Sequence, residues 1–416
     1  MWKRWRIRLL LFMAVLGPGF ITANVDNDSG GIFTYSQAGA HYGYTLLWTM
    51  LPITIALIVV QEMCARMGVV TGKGLSDLIR EEFGLRITFV LMVVLVVVNY
   101  TNVVTEFIGI AGSLHLFHVS KFISVPLCAL LVWALVIRGD YKSTEKIFLV
   151  ASLVYITYIF AGVLSQPSWH DALLATVRLP DKSVWKDKSY IYMAIGIVGT
   201  TIAPWMQFYL QSSIVEKGIR VKDYAASRLD VIIGSFFTDI VAWFIVVACA
   251  ATLFVHGLGA IQIAADAAEA MRPLAGDYAF ILFAFGLFNA SLFAASILPL
   301  STAYTVCEGL GVESGVDKSF KEAPFFYWLY TLLIAGGALT VLVLPDAQLI
   351  NVAILSQVLN GVLLPVVIIL MLILINRTDL MGTYKNSRLW NAIAWATSLI
   401  VIGLTLTMLW GMIPGH

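Results

Sequence analysis

Eleven predominantly apolar runs, separated at clusters of Gly, Pro and charge, constrain this chain more than any motif does. Their approximate limits are residues 8–42, 45–69, 87–115, 121–138, 145–165, 190–215, 229–256, 276–307, 324–344, 348–376 and 389–413. Crossing a bilayer takes about 20 apolar residues in a helix. The chain is 60% hydrophobic and 12% charged, against about half and a quarter in a soluble domain, which excludes a water-soluble globule. With no water to bond in the hydrocarbon, the backbone must satisfy itself within helices, so the expected fold is an all-α membrane protein. No loop exceeds roughly 25 residues, too few for a separate soluble domain. Residues 1–416 are therefore read as a single transmembrane domain. The opening MWKRWRIR resembles the start of a signal peptide, but the first run continues through a polar interruption into a second apolar half, so it is kept in the mature fold.

Lys and Arg number 26 against 25 Asp and Glu, so no global field recruits nucleic acid, and nothing in the sequence points to an obligate protein partner. The lipid bilayer is the expected surrounding. With eleven spans and the N-terminus inside, the inner segments hold 20 of the 26 basic residues, which orients the chain with its N-terminus cytoplasmic and its C-terminus outside. Cys64, Cys128, Cys249 and Cys307 lie far apart in apolar stretches and read as small core hydrophobes. The six histidines fall at span ends or in loops, and there is no His-Glu-x-x-His, Walker A sequence or Gly-x-Ser-x-Gly elbow. No enzymatic chemistry, imidazole metal centre or resident cofactor is expected.

Polar residues at membrane depth are costly and mark function. The densest cluster, Asn24-Val25-Asp26-Asn27-Asp28-Ser29-Gly30-Gly31, interrupts the first run. Two carboxylates, two amides and paired glycines favour side-chain to backbone bonds over a continuous helix. This predicts a broken helix whose carbonyls and carboxylates form an oxygen-rich cation site, as in transporters built from inverted repeats. The sixth run supplies the matching break at Gly199-Thr200-Thr201-Ile202-Ala203-Pro204-Trp205, where Pro204 has no N–H to donate; a simple proline kink is the alternative. Hydropathy and break position thus suggest two inverted five-helix repeats, about 8–165 and 190–376, followed by an extra helix at about 389–413. Glu62, four residues before Arg66, reads as a structural ion pair. Glu106 and Asp239 lie deeper, as network members or relay groups, and Gln357 is an amide that could bond a neighbouring helix or a ligand.

The segment GPGFITANVDNDSGGIFTYSQAGAHYGY, followed by QEMCARMGVVTGKGLSDLIREEFG, TEFIGIAGSL, SQVLNGVLLP and LMGTYKN, resembles the Nramp family of divalent-metal transporters over most of the chain. The resemblance implies a LeuT-like fold with broken helices one and six, and a place in a prokaryotic cell membrane. The flanks of the first motif put Asp28 on the aspartate of the family's Asp-Pro-Gly-Asn. Departures follow. Gly31 stands where the family has its metal-binding asparagine, and Ala203-Pro204-Trp205 replaces Met-Pro-His. Thr200 takes the place of the alanine whose carbonyl serves in the family, although a one-residue slip would give that role to Thr201. In span three Glu106 matches a family glutamate, while Val103 replaces an aspartate.

These replacements remove the soft thioether that favours late transition metals. What remains is oxygen from Asp28, Asp26, carbonyls near Gly31 and Thr200, the Thr200 hydroxyl and Gln357, with Ala203 leaving space. Mg²⁺ keeps several waters and touches one or two carboxylates. The pattern resembles the Nramp-related magnesium transporter branch, which implies transport of Mg²⁺, and also Mn²⁺, as a partly hydrated substrate without proton coupling. The alternatives are a proton-coupled Mn²⁺, Fe²⁺ or other metal transporter of the family, and a sodium-coupled amino-acid symporter on the same fold. Two aspartates at the first break argue against the symporter, which needs free helix N-termini for an anion. A non-transporting membrane receptor or structural protein is disfavoured by the cost of a buried acidic cluster without a cation.

Overall fold

The computed structural model describes residues 15–181, 183–258 and 261–411. The first residues of the first predicted run and the last two of the eleventh lie outside them. The described residues form helices and turns, with no strand among them.

The first run is two helices, α1 (Pro18–Val25) and α2 (Ser29–Tyr42), and a 3-10 segment, Gly43–Thr49, leads into α3 (Met50–Thr71). A short α4 (Leu75–Phe83) precedes α5 (Leu85–His115), α6 (Lys121–Ile137) and the fifth span, which is divided into α7 (Tyr141–Val154) and α8 (Ile156–Leu164). The loop that follows carries α9 (Trp169–Val177). The second half opens with α10 (Lys188–Thr201) and α11 (Pro204–Glu216), then α12 (Tyr224–Cys249), α13 (Ala264–Leu310), α14 (Pro324–Val343), α15 (Asp346–Asn376), the single turn α16 (Thr378–Met381) and α17 (Arg388–Gly411). Helix α13 begins a dozen residues before the predicted eighth run and kinks at Gly276, whose φ of 87° suits glycine.

Nine helical stretches among the described residues are long and apolar enough to cross a bilayer, and Lys121–Ile137 is a shorter apolar helix. One of the nine, Ser29–Thr71, contains both the second half of the first predicted run and the second run. Leu85, Phe89, Val90, Val97, Leu127 and Leu130 are more than half exposed. Such apolar faces are unfavourable in water and suit contact with lipid.

The interior is built on α5, which packs along α13 and α15, while α12 lies against α1, α2 and α3. The α1–α12 contact is close because it is made by glycines. A Cβ on Gly19 would come within 2.7 Å of the Val231 nitrogen, and one on Gly234 within 2.7 Å of the Phe20 Cα. At this contact Asp230 of α12 accepts the backbone N–H groups of Gly17 (3.2 Å), Gly19 (2.7 Å) and Phe20 (3.1 Å). Pro18 lacks a donor, so one carboxylate satisfies the open N-terminus of α1. Beside it the Lys217 ammonium donates to the carbonyls of Val15 (3.2 Å) and Leu16 (2.8 Å) and to Glu145 (2.7 Å).

Asp230→Ala leaves three buried donors of α1 unpaired. A loss of stability on the order of 2–3 kcal/mol is expected, read as a lower midpoint of thermal unfolding in detergent. An unchanged midpoint would show that α1 is held by packing alone.

Candidate metal-binding site

Helix α1 ends at Val25 and α2 restarts at Ser29 because Asp28 adopts extended backbone and caps the new helix (φ −73°, ψ −177°). Its Oδ1 accepts from the Gly31 N–H at 2.7 Å. Glu106 of α5 supplies a second acceptor, its Oε2 3.1 Å from the Ser29 nitrogen. Two carboxylates thus meet the donor end of α2, where the helix dipole favours negative charge. Asp28 is the one residue from Gly17 to Ile32 that is not fully buried.

The second break lies between Thr201 and Pro204, with Ile202 outside the helical region (φ −126°, ψ 75°) and Ala203 extended. Thr201 is used structurally: its hydroxyl donates to the Ile197 carbonyl (2.8 Å) and lies 2.7 Å from the Tyr35 hydroxyl. Thr200 faces the first break instead. A Cβ built on Gly31 would be 3.6 Å from the Thr200 Oγ1, 3.5 Å from the Asp28 Oδ1 and only 2.6 Å from the Asp26 carbonyl oxygen. Any side chain at position 31 would therefore have to move the backbone of the break. At Gly30 the equivalent Cβ would lie 2.0 Å from the Gln357 Nε2 and 3.4 Å from the Asp28 Oδ1. The two glycines let α15 and α10 bring Gln357 and Thr200 up to Asp28.

A cavity of about 670 Å³ reaches this point, with Ser29, Gly30, Thr105, Thr200 and Gln357 at its inner part and His41 and Tyr192 among its outer lining. Met193 also lines it, but seven residues from Thr200 on a helix amounts to about 10 Å. No three His, Cys, Asp or Glu side chains converge anywhere among the described residues. The site can offer a cation one principal carboxylate, an amide oxygen, a hydroxyl and backbone carbonyls, with room for water.

Asp26 is placed differently. It is 2% exposed, its carboxylate oxygens have no hydrogen-bond partner, and it interacts electrostatically with Asp28 and Asp239. Ala203 is buried at the second break and does not line the cavity. Glu62 and Arg66 form the expected ion pair at 3.1 Å. Arg66 also donates to the Asn386 side chain at 2.5 Å, tying α3 to the segment before α17. Asp230 is a functional neighbour of this region that the sequence marks only by a lone carboxylate at the start of an apolar run.

These features define an α-helical membrane transporter whose helices break at the inner end of a mainly apolar cavity, where a few oxygen donors gather. Over residues 19–411 the chain matches the Nramp profile, natural resistance-associated macrophage protein-like, and it belongs to that family. A divalent metal cation transporter MntH of Ralstonia nicotianae is 29% identical, covering 100% of this chain and 93% of its own. Its counterpart in Nostoc sp. is 27% identical, with 96% and 92% covered. The manganese transporter of Eremococcus coleocola superposes with a TM-score of 0.76 at 22% identity, over 95% of this chain and 86% of the other. MhsT in complex with L-phenylalanine gives 0.60 at 15% identity, over 94% and 98%. These structures share the LeuT-like fold. Metal here is a transported substrate of the family and not a resident cofactor.

Gly30→Ala puts a methyl group where the Gln357 amide now sits. The side chain can swing away, so the protein is expected to fold while metal uptake into liposomes falls several-fold. Undiminished uptake would remove Gln357 from the ion's path.

Proposed function

We propose that this protein carries Mg²⁺, and also Mn²⁺, as a partly hydrated ion by alternating access and without proton coupling. The observation that carries this is the donor set around Asp28. Thr200 adds a hydroxyl oxygen, Gln357 brings a neutral amide whose nitrogen faces Gly30 and whose oxygen reaches the ion when the amide turns over, the Asp26 carbonyl faces Gly31, and no sulfur lies beside them. Hard donors and space for water suit Mg²⁺, which gives up its hydration shell reluctantly. Asp28 is the principal anchor because it is only partly buried and directly precedes Ser29 and Gly30, which line the cavity, whereas Asp26 is 2% exposed. Asp26, Gly31 and Ala203 shape the site from behind: the Asp26 carbonyl fills the space beside Gly31, and the small Ala203 is buried at the second break. With the N-terminus cytoplasmic, the cavity faces the outside.

Absence of proton coupling is supported by Val103 and Trp205, both buried and neither able to carry a proton at the positions where the family resemblance puts ionisable groups. A second reading, proton-coupled Mn²⁺ transport, is favoured by Glu106, which is 1% exposed and has an oxygen without a partner.

Purified protein in liposomes, with a Mg²⁺-sensitive dye and a pH dye inside and a membrane potential applied, separates the two. Saturable Mg²⁺ entry without acidification is expected; acidification that tracks metal entry would establish coupling. Asp28→Ala is expected to abolish uptake with folding intact, and Asp26→Ala to reduce it less. Equal loss at both positions would overturn the ranking.

A further inference from the structure

Four carboxylates lie buried or nearly so around the first break: Asp26, Asp28, Glu106 and Asp239. None is in an ion pair with Lys, Arg or His among the described residues. Uncompensated charge at this depth is costly. A single divalent ion at Asp28 offsets two of the four charges. Asp28 and Glu106 belong together, since both cap the start of α2. The remaining two, Asp26 and Asp239, are 2% and 5% exposed and take no part in capping α2.

A side-chain contact draws together the segments that carry these two. The Asn27 amide nitrogen donates to the Thr238 hydroxyl at 2.7 Å and to its carbonyl at 3.0 Å, tying the residue after Asp26 to the residue before Asp239. All four carboxylate oxygens lack a hydrogen-bond partner, and so does the Oδ1 of Asn27, whose residue is fully buried. Both carboxylates act electrostatically on Tyr35. The Tyr35 hydroxyl donates instead to Thr201, whose own proton goes to the Ile197 carbonyl, so this phenol does not satisfy them. Five acceptors without a partner thus lie at one junction, and the side chains that could have supplied protons, Asn27, Tyr35 and Thr54 beside Asp239, use theirs elsewhere, Thr54 on the Met50 carbonyl at 2.7 Å.

We propose that Asp26 and Asp239, with the amide oxygen of Asn27, hold a second hard cation behind the ion anchored by Asp28. The ligands are all oxygen, which excludes a soft-metal preference, and an acceptor-only set repels anions. The second position rests on the reading of Asp28 as the transport anchor, and it adds a carboxylate from α12 that the Asp28 site does not use. An ion there would tie α1 to α12 at the contact that Asp230 closes from its other end.

The test counts ions. Full-length protein in detergent is saturated with Mn²⁺, and bound metal is measured by equilibrium dialysis together with the magnetic resonance line shape, in choline and in sodium buffers. Wild type is expected to bind two Mn²⁺ per chain with dipolar broadening between them, and Asp239→Asn one, without broadening. Sodium that displaces one of the two and leaves the other would support the site and assign it to a monovalent hard cation. Asp28→Ala is expected to lose the other ion; if it keeps both, the anchor reading fails while the second site stands. One Mn²⁺ per wild-type chain in both buffers, unchanged by Asp239→Asn, would overturn the proposal and leave Asp26 and Asp239 as protonated acids. The wild-type count decides the matter even if the substituted protein does not fold.

Discussion

The bond from the Asp28 carboxylate to the Gly31 N–H is the interaction on which the rest of the site depends. A helix broken in hydrocarbon exposes donors and acceptors that lipid cannot satisfy. Asp28, with Glu106 on the Ser29 nitrogen, meets this cost at the restart of α2. Because a carboxylate has more lone pairs than one N–H consumes, the group that permits the break also keeps capacity to bind a cation. Structure and proposed function therefore rest on one side chain. The glycines that follow serve both ends as well, since Gly30 admits Gln357 and Gly31 admits the Asp26 carbonyl.

The opposite end of α1 is fastened by charge. Asp230 takes its N–H groups, and Lys217, balanced by Glu145, takes the carbonyls just before it. For an ion to leave on that side, α1 has to part from α12 or α12 has to move with it. A segment of eight residues held by a few polar bonds is short enough to move as a unit. The close glycine contact at Gly19 and Gly234 means that small displacements there open or shut the seam. In the proposed alternating-access cycle the ion at Asp28 and the fastening around Asp230 and Lys217 would be coupled through the eight residues of α1, about two turns of helix.

Much of this was legible in the sequence, for identifiable reasons. Apolar runs report bilayer crossings, and the helices follow them. The polar cluster at 24–31 and Pro204 reported breaks because each conflicts with helix continuation. Glu62 with Arg66 was legible from its spacing. Thr200 was less secure: one residue of register separates it from Thr201, and the two have different surroundings, Thr201 bonded to Tyr35 and Thr200 beside Gly31 and the cavity. The Asp230 cap joins residues more than 200 positions apart, and no periodicity encodes such a contact. Asp26 read as a further oxygen of the same set, secondary to Asp28. Its separate environment follows from Asn27 being held by Thr238, a tertiary bond that the sequence did not announce.

The central claim is that oxygen donors around Asp28 give a hard-cation site. Calorimetric titration of the wild-type protein with Mg²⁺ and with Cd²⁺, under identical salt, tests it most directly. With no sulfur beside the ion, Cd²⁺ should show no large advantage over Mg²⁺, and each should displace the other. Binding of Cd²⁺ orders of magnitude tighter than Mg²⁺ would contradict the claim and place this protein among transition-metal carriers.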